Sequence, residues 1–256
     1  MSIAVSHVIE GPEGGEPVVL SGSIGSDLRM WRPQVTALTE AGYRVVRYDH
    51  RGHGRSPVPQ GPYSLADLGG DALALLDRLG IERAHWVGLS LGGMVGMWLG
   101  EQASERLRTL TLLCTSAELP PSAWAQRVRT VRAEGMRVIA ETTLPRWFTP
   151  EWRAADPELA RDYEDMIAAQ PAEGYASCCA AIETMDIAAG LSRITTPTLV
   201  VSGAEDPATP PEHGRRIAAA VSGARFEIVS PGAHLANIEA AEQIDVLIMG
   251  HLKQHS

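Results

Sequence analysis

The chain has 256 residues, 45% hydrophobic and 21% charged, enough to bury the core of one large α/β domain or two small ones and too short for a multidomain machine. Its 22 Lys plus Arg oppose 31 Asp plus Glu, leaving a net charge of −9, which excludes the basic footprint of a nucleic-acid partner. Apolar runs such as Leu110 to Cys114 fall far below the roughly 18 residues of a membrane span, and Met1 to Gly15 lacks the cationic lead and apolar stretch of a secretory signal, so a cytoplasmic protein with no membrane partner is expected.

In chain order, β-branched and apolar runs predict strands at Pro17 to Ser21, Arg44 to Tyr48, His85 to Gly88, Leu110 to Cys114, Thr198 to Val201 and Phe226 to Val229. Between them, helical periodicity appears at Met30 to Ala41, Leu65 to Leu79, Leu91 to Gln102, Glu212 to Val221 and Ala240 to Leu252. Strand alternating with helix predicts an α/β fold, a mostly parallel sheet with helices on both faces. Between Ser116 and Leu191 the alternation stops, and helical stretches rich in Arg, Glu and Ala follow one another, bounded by Pro120-Pro121 and Pro197. The expected organisation is a core of residues 1–116 and 192–256 with an inserted helical cap at 117–191. Ligands of open α/β sheets bind at the carboxyl ends of the strands, so the residues that follow each strand are the candidates for chemistry.

After the strand ending at Gly88 stands Gly88-Leu89-Ser90-Leu91-Gly92, a Gly-x-Ser-x-Gly elbow in which a sharp strand-to-helix turn lifts a serine hydroxyl above the sheet. A strand before it and a helix after it are the context this motif requires. Serine is a weak nucleophile at neutral pH and needs a base, itself oriented by a third group. Asp206 follows the strand at Thr198 and His234 follows the final strand, so the order Ser90, Asp206, His234 is that of an α/β hydrolase triad. The developing oxyanion needs backbone donors. Leu91 N–H, directly after the nucleophile, is one, and Ser21-Gly22-Ser23-Ile24-Gly25 has the glycine spacing of the usual His-Gly-x-x-Gly turn, with Ser21 in the histidine's place and Ser23 as the second donor.

Other residue types that could carry chemistry fit quieter roles. Cys114, Cys178 and Cys179 have neither a paired framework nor a metal-ligand spacing, so reduced thiols and no metal are expected, with the adjacent pair as small packing residues. Met94, Met97 and Trp98 belong to the core. The run from Asp49 to Ser56 forms a structural turn beside the site, with His53 a hydrogen-bonded loop histidine.

Together the Asp49-His50-Arg51-Gly52-His53-Gly54-Arg55-Ser56 run, the elbow, the acid and the histidine resemble the α/β-hydrolase superfamily over the whole chain. Leu20 to Trp31, Arg146-Trp147-Phe148-Thr149-Pro150, Glu173 to Ala181 and Gly232 to Glu239 resemble more locally the 3-oxoadipate enol-lactonases of aromatic degradation. The resemblance implies a cofactor-independent serine hydrolase that opens a small lactone bearing a free carboxylate. Such a substrate calls for a local cation in an acidic protein. Between residues 127 and 147, Arg127, Arg129, Arg132, Arg137 and Arg146 oppose only Glu134 and Glu141, and the arginine fork suits a carboxylate. Arg146, in the family-like stretch, is the preferred substrate-binding residue, with Trp147 as an apolar wall. A carboxylesterase or perhydrolase acting on small neutral esters, and a hydrolase-fold signalling protein that binds a small ligand, are the competing readings. The sequence sets no subunit number.

Overall fold

The computed structural model describes residues 1–255. Among them, seven strands form one sheet: β1 (His7–Glu10), β2 (Pro17–Ser21), β3 (Arg44–Tyr48), β4 (Ala84–Leu89), β5 (Leu107–Leu113), β6 (Thr198–Gly203) and β7 (Arg225–Val229), in the order β1-β3-β2-β4-β5-β6-β7. Every pairing is parallel except β1 with β3. Helices cover both faces of the sheet, so interior positions must be apolar or have their polar groups satisfied. β4 and β6 are buried at all six positions. β1 is absent from the sequence reading for the opposite reason: His-Val-Ile-Glu is an edge strand with its two central residues exposed, so neither an apolar run nor an alternation announces it.

The helices follow as α1 (Arg32–Glu40), α2 (Leu65–Arg78), α3 (Leu91–Gln102), α4 (Pro121–Glu134), α5 (Met136–Trp147), α6 (Pro150–Ala155), α7 (Pro157–Ala168), α8 (Ala172–Glu183), α9 (Pro211–Ala220), α10 (Ala236–Glu239) and α11 (Ala241–Lys253). α2 starts on a capping box, in which Ser64 Oγ accepts the Asp67 N–H while Asp67 accepts the Ser64 N–H. The predicted last helix, Ala240 to Leu252, is α11 to within one residue at each end, and the sequence reading lacks the short α10 before it, which Ala240, at φ −119° and ψ 40°, separates from α11. Cys114, predicted as strand, lies just past β5 and turns the chain with φ 43°.

Two features position a site. β2 pairs with β3 on one side and with β4 on the other, so the chain steps from β2 out to β3 and then crosses back over β2 to β4, and a crevice opens where the strand order reverses. Ser21 lies opposite Gly88 in that register, which sets the turn after β2 beside the turn after β4. The second feature is the long connection from β5 to β6, which holds α4 to α8. We propose that this insertion, residues 117–191, is a cap, because its helices contribute one wall of the cavity described below. Among the described residues, no helix is long and apolar enough to cross a membrane.

Candidate active site

Ser90 occupies the single position between β4 and α3, with φ 54° and ψ −113°, a left-handed conformation that costs a non-glycine residue on the order of 1–3 kcal/mol. Its neighbours hold it there. Ser90 N–H donates to Leu113 O at 3.0 Å, and Thr115 Oγ1 donates to Ser90 O at 2.7 Å. The elbow closes only because its flanks are glycine: a Cβ on Gly88 would stand 2.1 Å from Gly92 O, and one on Gly92 would stand 2.0 Å from Ser21 O.

His234 and Asp206 arrive on the turns after β7 and β6. These turns are laced together, since Glu205 N–H donates to Gly232 O at 2.9 Å and Gly232 N–H donates to the Glu205 carboxylate at 2.7 Å. His234 Nδ1 lies 2.9 Å from Asp206 Oδ2. A carboxylate only accepts, so Nδ1 carries the proton and Nε2 is left with the lone pair of a base. Asp206 also accepts the Ala208 N–H at 2.8 Å, the Thr209 N–H at 3.0 Å and the Thr209 hydroxyl at 2.7 Å. Burial alone would raise its carboxyl, but His234 and these donors outweigh burial and hold it below the usual carboxylate range. The acid is thus kept ionised under the imidazole.

Ser90 and His234 open onto one cavity of about 280 Å³, whose core side also carries Ser23 and Ile24. Leu91, the first residue of α3, places its N–H at the helix N-terminus beside Ser90. The Ser23 N–H faces Met30 Sδ at 3.3 Å. A thioether is a weak acceptor, which an oxyanion would readily displace. This pairing was not visible in the sequence, because nothing in a seven-residue separation says that the Met30 side chain folds back.

The opposite wall comes from α4 and α5 and includes Trp124, Arg127, Thr143, Arg146 and Trp147. The structure sorts the five arginines of this segment into two groups. Arg132 pairs with Glu173 at 2.6 Å, Arg137 with Asp165 at 3.0 Å, and Arg129 donates to Gln126, all on exposed surface. Arg127 and Arg146 line the cavity and, among the described residues, neither has a carboxylate within salt-bridge distance. Arg127 is braced by Tyr175 Oη and Thr143 Oγ1 and lies over the Trp124 ring. Burial and the neighbouring Arg127 lower the Arg146 guanidinium from its ordinary value, yet an arginine remains charged. The sequence preferred Arg146 and Trp147, named Arg127 only as one of five cap arginines, and passed over Trp124. The signal available was the i, i+3 spacing that sets Trp124 and Arg127 on one helix face.

A family model described as the alpha/beta hydrolase fold matches residues 16–241. The chain is 35% identical over 253 residues to 3-oxoadipate enol-lactonase 2 of Acinetobacter baylyi, covering 98% of this chain and 94% of that one. The crystal structure of the enol-lactonase from Burkholderia xenovorans LB400 superposes with a TM-score of 0.95 at 39% identity, covering 97% and 96% of the two chains. That of a hydrolase from Pseudomonas aeruginosa PA01 gives 0.93 at 42% identity, with 97% and 94% covered.

Proposed function

The chain belongs to the α/β-hydrolase family, and from that premise we propose that it is a serine hydrolase that opens a small anionic enol-lactone, 3-oxoadipate enol-lactone being the favoured substrate. The observation that carries this reading is the joining of two kinds of group in one cavity. Ser90 and His234 stand on one wall, and Arg127 and Arg146, free of carboxylate partners among the described residues, stand on the other.

In the proposed reaction Ser90 Oγ adds to the ring carbonyl while His234 Nε2 takes its proton, and Asp206 holds the imidazole tautomer and stabilises its charge. The N–H groups of Leu91 and Ser23 receive the oxyanion. Collapse of the tetrahedral adduct breaks the ring C–O bond and expels an enolate, a better leaving group than an alkoxide. The imidazolium protonates it, and tautomerisation to the ketone makes re-closure unfavourable. Water, deprotonated by His234, then releases the acyl group as a carboxylate and restores Ser90. Throughout, Arg127 and Arg146 hold the carboxylate that takes no part in the bond changes, and Trp124 and Trp147 give the carbon chain an apolar wall.

The test follows the loss of ultraviolet absorbance of 3-oxoadipate enol-lactone with the wild type and with Ser90→Ala. Rapid loss that vanishes in the variant is the expected result. Cleavage of p-nitrophenyl acetate by the wild type alone, with no acceleration of lactone loss, would replace the lactonase reading with an esterase for neutral substrates.

A further inference from the structure

Two buried histidines outside the triad grip the turn that carries Ser23. His50 and His53 are 4% and 0% exposed and follow β3, whose carboxyl end lies beside that of β2. His53 Nε2 lies 2.9 Å from the Gly25 amide nitrogen. An N–H can only donate, so Nε2 is the acceptor and the imidazole proton sits on Nδ1, which faces Arg51 O at 3.4 Å with Cys178 Sγ at 3.8 Å. His50 does the reverse. Its Nε2 lies 3.1 Å from Gly22 O, which can only accept, so Nε2 carries the proton, and its buried Nδ1 has no partner among the described residues. The two rings therefore hold opposite tautomers, one donating to the start of the Gly22–Gly25 turn and one accepting from its end. Burial holds both neutral, with His53 pushed down to about 3 and His50 to about 4.

We propose that His53 is a positioning residue: by accepting the Gly25 N–H as the Nδ1-protonated tautomer, it fixes the Ile24–Gly25 peptide and through it the turn that presents the Ser23 N–H to the oxyanion. This rests on Ser90 being the nucleophile, but not on the choice of lactone. The start of the turn is held through Gly22 O, which accepts the Gly92 N–H at 3.0 Å, and its middle through Ser23 O, which accepts the Ser26 N–H and hydroxyl, whereas at its end Gly25 has φ 83° and gives its N–H to His53. The tilted contact with Tyr175, at 6.2 Å between centroids and 46° between planes, packs beside the ring but supplies no acceptor.

The test compares wild type, His53→Leu and His53→Gln by kcat and KM on p-nitrophenyl acetate, by affinity for phenylboronic acid, and by the ¹⁵N shifts of the wild-type imidazoles. Phenylboronic acid forms an anionic tetrahedral adduct on the serine. His53→Leu is expected to lower kcat about 10- to 100-fold with KM within about twofold, and to weaken the boronate by a similar factor, the scale of a displaced oxyanion donor. The Gln carbonyl can accept the Gly25 N–H, so His53→Gln should recover most of both losses. A merely structural defect would reduce the active fraction and leave boronate affinity unchanged, which overturns the proposal, as does a His53 protonated on Nε2. Should His53→Leu not fold, the wild-type tautomer and the boronate affinity of His53→Gln decide. A wild type that neither cleaves the ester nor binds the boronate overturns the serine-hydrolase reading and this proposal with it. An active wild type indifferent to His53 overturns this proposal alone.

Discussion

The two walls of the cavity are built on different physical terms. The core wall is a set of turns at strand ends, where backbone geometry dictates the residue: glycines that admit no Cβ, Ser90 held at positive φ, and Asp206 and His234 on laced loops. The cap wall is a pair of helix faces, where any side chain fits the backbone and only the facing partner gives Arg127 or Trp124 a meaning. The contrast suggests a division of labour. On the proposed reading, bond breaking resides in the core and choice of substrate in the cap.

Substitutions in the core should therefore act on every substrate, and those in the cap on anionic ones only. The largest effect is expected for Ser90→Ala, with kcat down about 10⁴- to 10⁶-fold on lactone and neutral ester alike and thermal unfolding little changed. Asp206→Asn comes next, at about 10³- to 10⁴-fold on both substrates, because the amide can no longer select the Nδ1–H tautomer. Steady-state rates on the two substrates check both expectations, and a loss confined to the lactone would break the division.

The cap should respond selectively. Removing one charged donor from a carboxylate costs about 1.5–3 kcal/mol, so Arg127→Met and Arg146→Met should each lower kcat/KM on the lactone about 10- to 100-fold and leave p-nitrophenyl acetate within about threefold. Competition by a dicarboxylate such as adipate, measured as its inhibition constant, should weaken in parallel.

A smaller effect belongs to stability. His50 and His53 have folded pKa values depressed to about 4 and about 3, so between those values and the ordinary histidine value near 6.5 the unfolded chain binds protons that the folded chain does not. Stability should rise with pH across that window and fall as pH drops below about 6.5. Each group contributes up to about 1.4 kcal/mol per pH unit, and urea unfolding of His53→Gln at pH 4.5 and 6.5 should show the dependence reduced by one group's share.

How much of this was legible follows the same contrast. β2 and β3 are matched residue for residue, and β4 and β6 to within two residues at an end, because buried β-branched and aromatic residues mark their centres. The elbow and the residues after β6 and β7 could be singled out for a related reason, that a strand end fixes where the next side chain stands. The edge strand β1 and the four-residue helix α10 carry no such mark. The sorting of the arginines was also hidden: Arg132 and Arg137 find their acids on α8 and α7, and a sequence does not say which acid faces which helix. The preferred Arg146 and Trp147 do line the cavity, but Tyr175, which braces Arg127 from α8, is 48 positions away, and the family-like stretch that contains it does not say which side chain it faces.

The most direct measurement is the ratio of kcat/KM on 3-oxoadipate enol-lactone to that on p-nitrophenyl acetate, in the wild type and in the Arg127→Met, Arg146→Met double variant. The account predicts that the ratio falls by about 10²- to 10³-fold, almost entirely through the lactone. A ratio that stays constant while both rates fall or both persist would contradict it, since the cap arginines would then have no part in choosing the substrate.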